Sequence, residues 1–242
     1  GPRQAPPAIA SVSRGHRAVR RDDIRPEHLE AWKDPSIPAV QRALVESELD
    51  AMYAGRVSPV FQLLADCLRP HLLPGEGLIE VGCASGYYYE VLEYLLGQRI
   101  DYVGVDYAEG LIELARSLYP RARFEVADGA ALPFPDAHFA VAVSGGVLLH
   151  VLRYADHIRE AARVAARAVV LARTPVCRRG PTRHLVKEAY GVETVELVFA
   201  EDELLEICQG AGLIARQAHV YASDAAADIH HVTYLFEKGP QA

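Results

Sequence analysis

Glu80-Val81-Gly82-Cys83-Ala84-Ser85-Gly86 joins a short apolar run, residues 78–81, to a helical run that begins near Tyr87. A strand that turns tightly into a helix lets a ligand come close to the backbone. Gly82 permits the turn, Ala84 and Gly86 keep the loop lean, and the first turn of the helix presents unpaired N–H groups to an anionic group. Glu80 adds a carboxylate just below the loop, suited to a cationic amino group. Taken alone, the same loop also describes an ordinary strand-to-helix connection.

Outward from the loop, strand and helix patterns alternate. Residues 78–81, 102–105, 123–126, 139–143 and 168–172 read as strands, and residues 88–96, 111–118 and 157–166 as helices. That order implies right-handed crossovers and a parallel sheet covered on both faces. Residues 201–209 read as a further helix closed by the glycines of 210–212. Two strands near 214–221 and 229–236 follow with no helix between them, so they form an antiparallel edge. The expected core is therefore α/β, a seven-stranded, mostly parallel sheet with an antiparallel edge strand and helices on both faces. Upstream, residues 1–26 are rich in Pro and Arg without a period and read as a loosely ordered arm, and residues 37–54 and 59–68 read as helices. The expected organisation is an arm with cap helices over 1–74 and the core over 75–242, with 173–200 as a substrate-cap insertion.

Two further acids complete the pattern. Asp106 ends the second strand, 24 residues after Gly82, where a carboxylate accepts hydrogen bonds from both hydroxyls of a ribose. Asp128, in Val126-Ala127-Asp128-Gly129-Ala130, ends the third, where a carboxylate suits the exocyclic amine of adenine. Acids at successive strand ends suit a nucleoside that carries an amino acid and repel a pyrophosphate.

With these residues in order, residues 75–172 resemble the class I S-adenosylmethionine-dependent methyltransferases, which share a Rossmann-like fold. The resemblance is to the small-molecule enzymes whose core runs E-x-G-x-x-x-G, a strand-end acid, then A-D-x-x-x-L-P-F, here Ala127-Asp128 through Leu132-Pro133-Phe134. One departure is Ala84, where the family often has glycine. The resemblance implies S-adenosylmethionine as cofactor, with Glu80 near the methionine amine, Gly82 and Cys83 along the methionine and ribose, Asp106 on the ribose, and Asp128 with Gly129 on the adenine. Ala84, Gly86, Tyr107 and Ala130 complete the cofactor-binding set. Ser144 and Gly145 would flank the sulfonium through their backbone. Ser144-Gly145-Gly146 lacks the acid or amide followed by two prolines of the adenine methyltransferases, which argues against that substrate.

His150, just after the fourth strand, is the candidate catalytic residue, a proton acceptor near neutral pH; the competing role is a histidine that packs and bonds locally. Tyr53 and Tyr87 are candidates to wall the site with a ring face near the sulfonium, while Tyr88 and Tyr89 suit packing on the helix. His230 and His231 face opposite sides of a strand, so at most one reaches a cavity. Arg178, Arg179, Arg183, His184, Lys187 and Tyr190 follow the fifth strand, where loops build substrate sites; they suit an anionic or polar acceptor, or equally a solvated face.

Composition bounds the rest. The 242-residue chain is half hydrophobic and carries a net charge of −7, so a nucleic-acid partner is not expected despite the basic stretch from Arg14 to Arg25. No apolar run is long enough to span a membrane, and the four cysteines stand singly, without the spacing of a metal site. A soluble, cytoplasmic enzyme acting on a small-molecule acceptor is expected, without a metal, and a homodimer is compatible with the sequence. The alternatives are an NAD-dependent oxidoreductase, which should carry G-x-G-x-x-G rather than G-x-x-x-G, and a protein that binds the cofactor without turnover.

Overall fold

Seven strands form the main sheet of the computed structural model, which describes residues 14–240, in the order β4 (Arg123–Val126), β3 (Asp101–Asp106), β2 (Gly77–Val81), β5 (Phe139–Gly145), β6 (Ala165–Cys177), β10 (Ile229–Lys238), β9 (Leu213–Asp224). All are parallel except β10, which runs antiparallel to both neighbours. The reversed strand thus lies one place in from the edge, and the outer position falls to β9. Hydrophobic load decides this: Val232, Tyr234, Leu235 and Phe236 of β10 are buried, whereas β9 buries only Leu213.

Strand alternation sends successive side chains into two cores. Leu78 of β2 joins Phe61, Leu64, Tyr88 and Leu92 from α3 (Pro59–Leu68) and α4 (Tyr87–Leu96). Ile79 and Val81 face the other way, toward Ile158 and Ala162 of α6 (Tyr154–Val164) and Leu204 and Cys208 of α7 (Glu201–Gly210). Glu80 shares a face with Leu78 and is carried into the first core. The chain leaves β2 for β3 on one side and β5 pairs β2 on the other, so a crevice opens at the carboxyl ends of β2 and β5.

Residues 173–200 are not a loop. β6 continues to Cys177, and β7 (Arg183–Ala189) with β8 (Val192–Ala200) forms an antiparallel hairpin whose last residues pair with the end of β6. Its two turn residues, Tyr190 and Gly191, have φ of 55° and 81°, the positive pair a tight hairpin turn requires. Arg183, His184, Lys187 and Glu188 of β7 recur at a spacing of four, which gives it the look of a solvated helix face in sequence. β1 (Arg14–Ala18) then adds a third strand along β7, so this part of the expected loose arm is ordered by edge pairing. The rest of that arm up to residue 13 lies outside the described residues. A short helix, α1 (Pro26–Leu29), a 3-10 turn at Ala31–Lys33 and the long helix α2 (Ile37–Tyr53) complete the cap over the crevice. Among the described residues, no helix is long and apolar enough to cross a membrane.

Candidate functional site

The crevice and its cap border a half-open cavity of about 370 Å³, within the range of small-molecule sites. Gly82, Ala84, Tyr87, Asp106, Tyr107, Asp128, Gly129, Gly145 and His150 all line it.

The loop after β2 is built from the backbone. The N–H groups of Gly82 and Cys83 both donate to the Val105 carbonyl, at 2.8 and 2.9 Å, which pins the turn to β3. Ala84 adopts φ 48°, a left-handed conformation that disfavours a side chain, and its N–H donates to Asp106 Oδ2 at 2.9 Å. Ala84→Gly should therefore stabilise the protein by about 1 kcal/mol, the left-handed penalty less the extra entropy of glycine. Thermal unfolding would register this as a rise of about 2–4 °C.

Asp106 is the organising acid. Its second oxygen accepts the Ala108 N–H at 3.0 Å, so one carboxylate ties the glycine loop to the start of α5 (Glu109–Leu118). Burial raises its pKa, and its backbone N–H partners oppose that shift. Asp128 is exposed; it accepts the Ala130 N–H at 2.9 Å through Oδ1 and faces Arg153 at 3.4 Å through Oδ2. Tyr107 lies beside Asp106 and donates its hydroxyl to the Leu29 carbonyl at 2.9 Å, which ties the cap to the crevice.

Other expected site residues sit in the wall or elsewhere. Glu80 is 2% exposed and accepts the Tyr102 hydroxyl, and burial pushes its pKa well up. Cys83, Gly86 and Ala130 are outside the cavity lining, as is Ser144, which is buried with its hydroxyl 3.0 Å from His157 Nε2. Tyr53 is corrected outright. At the end of α2 it is half exposed on the outer surface, its hydroxyl donating to Glu90 at 2.7 Å and its ring 4.8 Å from Tyr94. Arg178, Arg179 and Arg183 are likewise turned away, held by Glu201 and Asp228. Of the two adjacent histidines on β10, His231 faces the cavity and His230 bonds to Ser223.

His150 ends a 3-10 turn at Leu148–His150, with Nδ1 2.7 Å from the Val195 carbonyl. A carbonyl only accepts, so Nδ1 carries the proton and Nε2 keeps its lone pair. Burial above all, and then nearby Lys187 and Arg173, push its pKa down to about 4, so the ring is neutral at pH 7.

Several cavity residues carry no local sequence signal: Trp32 and Gln41 from the cap, His157 from α6, Arg173 from β6, Glu196 from β8 and Tyr221 from β9. The chemistry of the first half suits a donor-rich ligand. Asp106, Asp128 and the buried Oε1 of Gln41, which has no partner, present acceptors to ribose hydroxyls and amines, and the glycine loop leaves room beside them. S-adenosylmethionine fits this donor set.

Comparison with known proteins agrees. Residues 79–172 match the family model described as a methyltransferase domain. Over 148 residues the chain is 31% identical to a probable S-adenosylmethionine-dependent methyltransferase of Mycobacterium tuberculosis, a match covering 57% of this chain and 51% of the relative. A probable methyltransferase of the same kind from Mycolicibacterium smegmatis is 30% identical over 166 residues, covering 64% and 62%. The chain thus spans about half the length of the first of these relatives. Among solved structures, the fold matches the Burkholderia thailandensis 1,6-didemethyltoxoflavin-N1-methyltransferase, seen with its substrate and S-adenosylhomocysteine. That match has a TM-score of 0.60 and 20% identity, and covers 93% of this chain and 95% of that one.

Proposed function

We propose that the protein, whose residues 79–172 match the methyltransferase-domain model and which resembles probable S-adenosylmethionine-dependent methyltransferases, uses S-adenosylmethionine to transfer a methyl group to a small-molecule acceptor. One observation carries this reading: the glycine turn, Asp106, Asp128 and His150 line a single cavity partly covered by the chain's own cap. A cleft of this volume, partly covered by the cap, suits a small acceptor.

In this reading Asp106 holds the ribose, Asp128 and Gly129 address the adenine, and Gly82 with Ala84 gives the backbone close access. Glu80, buried behind Gly145 and holding the Tyr102 hydroxyl, meets the amino group as a hydrogen-bond acceptor. When bound, the cofactor supplies a methyl group whose bonding electron pair returns to the sulfonium sulfur on transfer. The acceptor's nucleophile becomes acidic as it gains the methyl group, so even a weak base serves. His150 Nε2 takes that proton, and the Val195 carbonyl keeps the imidazole in the required tautomer. The cap excludes water and aligns the acceptor.

Calorimetric titration of S-adenosylmethionine, S-adenosylhomocysteine and NAD tests the reading. The first two should bind and NAD should not; NAD binding alone, or binding of none, would overturn it. With an acceptor in hand, His150→Gln should lower kcat about 100-fold with little change in KM. Because His150 is neutral above about pH 4, the wild-type rate should not depend on its titration between pH 6 and 8. Wild-type turnover in the variant would remove His150 from the chemistry.

A further inference from the structure

The part of the cavity lined by β6 and β7 has a character of its own. Arg173 holds φ 58°, a left-handed conformation unusual for a long side chain, at a break in the register between β6 and β10. It reaches past Gly146, where a Cβ would stand 3.4 Å from its Cδ and Nε, and donates to the Tyr87 hydroxyl at 3.5 Å. Lys187 enters from β7 with its side chain largely buried and meets Glu196. Arg173 meets the hydroxyls of Tyr87, Tyr88 and Tyr221 and Lys187 pairs with Glu196, which still leaves N–H donors on both from the five of a guanidinium and the three of an ammonium.

Two carboxylates share this region with the cations, Glu196 paired with Lys187 and Glu48 near Arg173. Burial, then Arg173, bring the Lys187 pKa down to about 8, and after burial the same two cations hold His231 below its ordinary value. Burial opposes the Arg173 charge, but the surrounding tyrosines and Glu48 more than offset it, so the guanidinium stays charged. An aromatic wall lines the same cavity, with Trp32 centred 5.4 Å from Tyr190 and 4.9 Å from His150, both Trp32 and Tyr190 packing by Ala84 and Ala108.

Resting on the methyl-transfer reading, we propose that the acceptor is a small aromatic acid, its anionic group held by Arg173 and Lys187 and its ring against Trp32 and Tyr190. A planar guanidinium fork matches a carboxylate in two parallel hydrogen bonds, and the ammonium adds a second charge. The left-handed backbone at Arg173 gives the guanidinium a fixed origin.

The chain's single tryptophan is Trp32, so its fluorescence reports on this wall directly. Protein saturated with S-adenosylhomocysteine is titrated with benzoate, 4-hydroxybenzoate and 2-naphthoate, with the matching amides, and with benzylamine. The carboxylates should perturb Trp32 and bind about tenfold or more tightly than the amides, and Arg173→Gln should weaken them about 10- to 100-fold. Lys187→Gln should weaken them in the same sense and serves if the Arg173 variant fails to fold by circular dichroism. Amide and S-adenosylhomocysteine affinities should stay at wild-type values in both. With S-adenosylhomocysteine bound, carboxylates that bind no better than amides or benzylamine, or that fail to bind at millimolar concentrations, would overturn the proposal. So would carboxylate binding unchanged in both variants. Failure of S-adenosylhomocysteine itself to bind would strike the methyl-transfer reading instead.

Discussion

Asp106→Ala is expected to weaken S-adenosylhomocysteine binding by more than about 100-fold, and the loss has two separable sources. The first is direct: a carboxylate that accepts from both ribose hydroxyls contributes charge-assisted hydrogen bonds of about 1.5–3 kcal/mol, and about 2.7 kcal/mol is already a factor of 100. The second is architectural. Asp106 accepts the N–H groups of Ala84 and Ala108 at 2.9 and 3.0 Å, and alanine would leave both donors unsatisfied in a largely buried site. The glycine loop would lose its tie to the end of β3, so a fall in thermal stability should accompany the fall in affinity. Asp106→Asn separates the two, because its single carbonyl oxygen replaces one acceptor and its amide nitrogen replaces none. Asparagine should fall between wild type and alanine in both calorimetric affinity and thermal midpoint. Wild-type affinity in Asp106→Ala would remove the residue from the cofactor site.

Local pattern made one half of this site legible and long-range packing hid the other. Gly82, Asp106 and Asp128 each sit at the end of a strand whose apolar run is visible in sequence, and the alternation of strands and helices places those ends side by side. Arg173, Lys187, Trp32 and Tyr221 come from β6, the β7–β8 hairpin, the cap and β9, and they converge only through packing angles that nothing local in the sequence sets. Tyr53 shows the same limit in reverse. Its distance along the chain from the cap residues says nothing of helix rotation, and the turn of α2 that brings Gln41 to the cavity sends Tyr53 to Glu90 on the outer face. The positions of β9 and β10 were open for a different reason: two consecutive strands without a helix define a hairpin, but only their unequal apolar content decides which is inside.

Gly82→Ala is expected to destabilise the fold by about 2–5 kcal/mol, the sum of a left-handed penalty of about 1–2 and an overpacking penalty of about 1–3. Gly82 has φ 81°, and a Cβ there would stand 2.4 Å from the Val147 side chain, far inside contact distance. Val147 lies between β5 and the His150 turn, so relief of the clash would move the floor of the cavity as well as the loop. Cofactor affinity and stability should therefore fall together. Two comparisons test the division of the effect. Gly97 also has a positive φ, 65°, but a Cβ there meets nothing within 4 Å, so Gly97→Ala should show only the conformational part, about 1–2 kcal/mol. Adding Val147→Ala to Gly82→Ala should recover the steric part, read as a favourable coupling in a double-mutant cycle of denaturant midpoints. Equal losses at Gly82 and Gly97, with no coupling to Val147, would show that backbone conformation alone requires glycine at the turn.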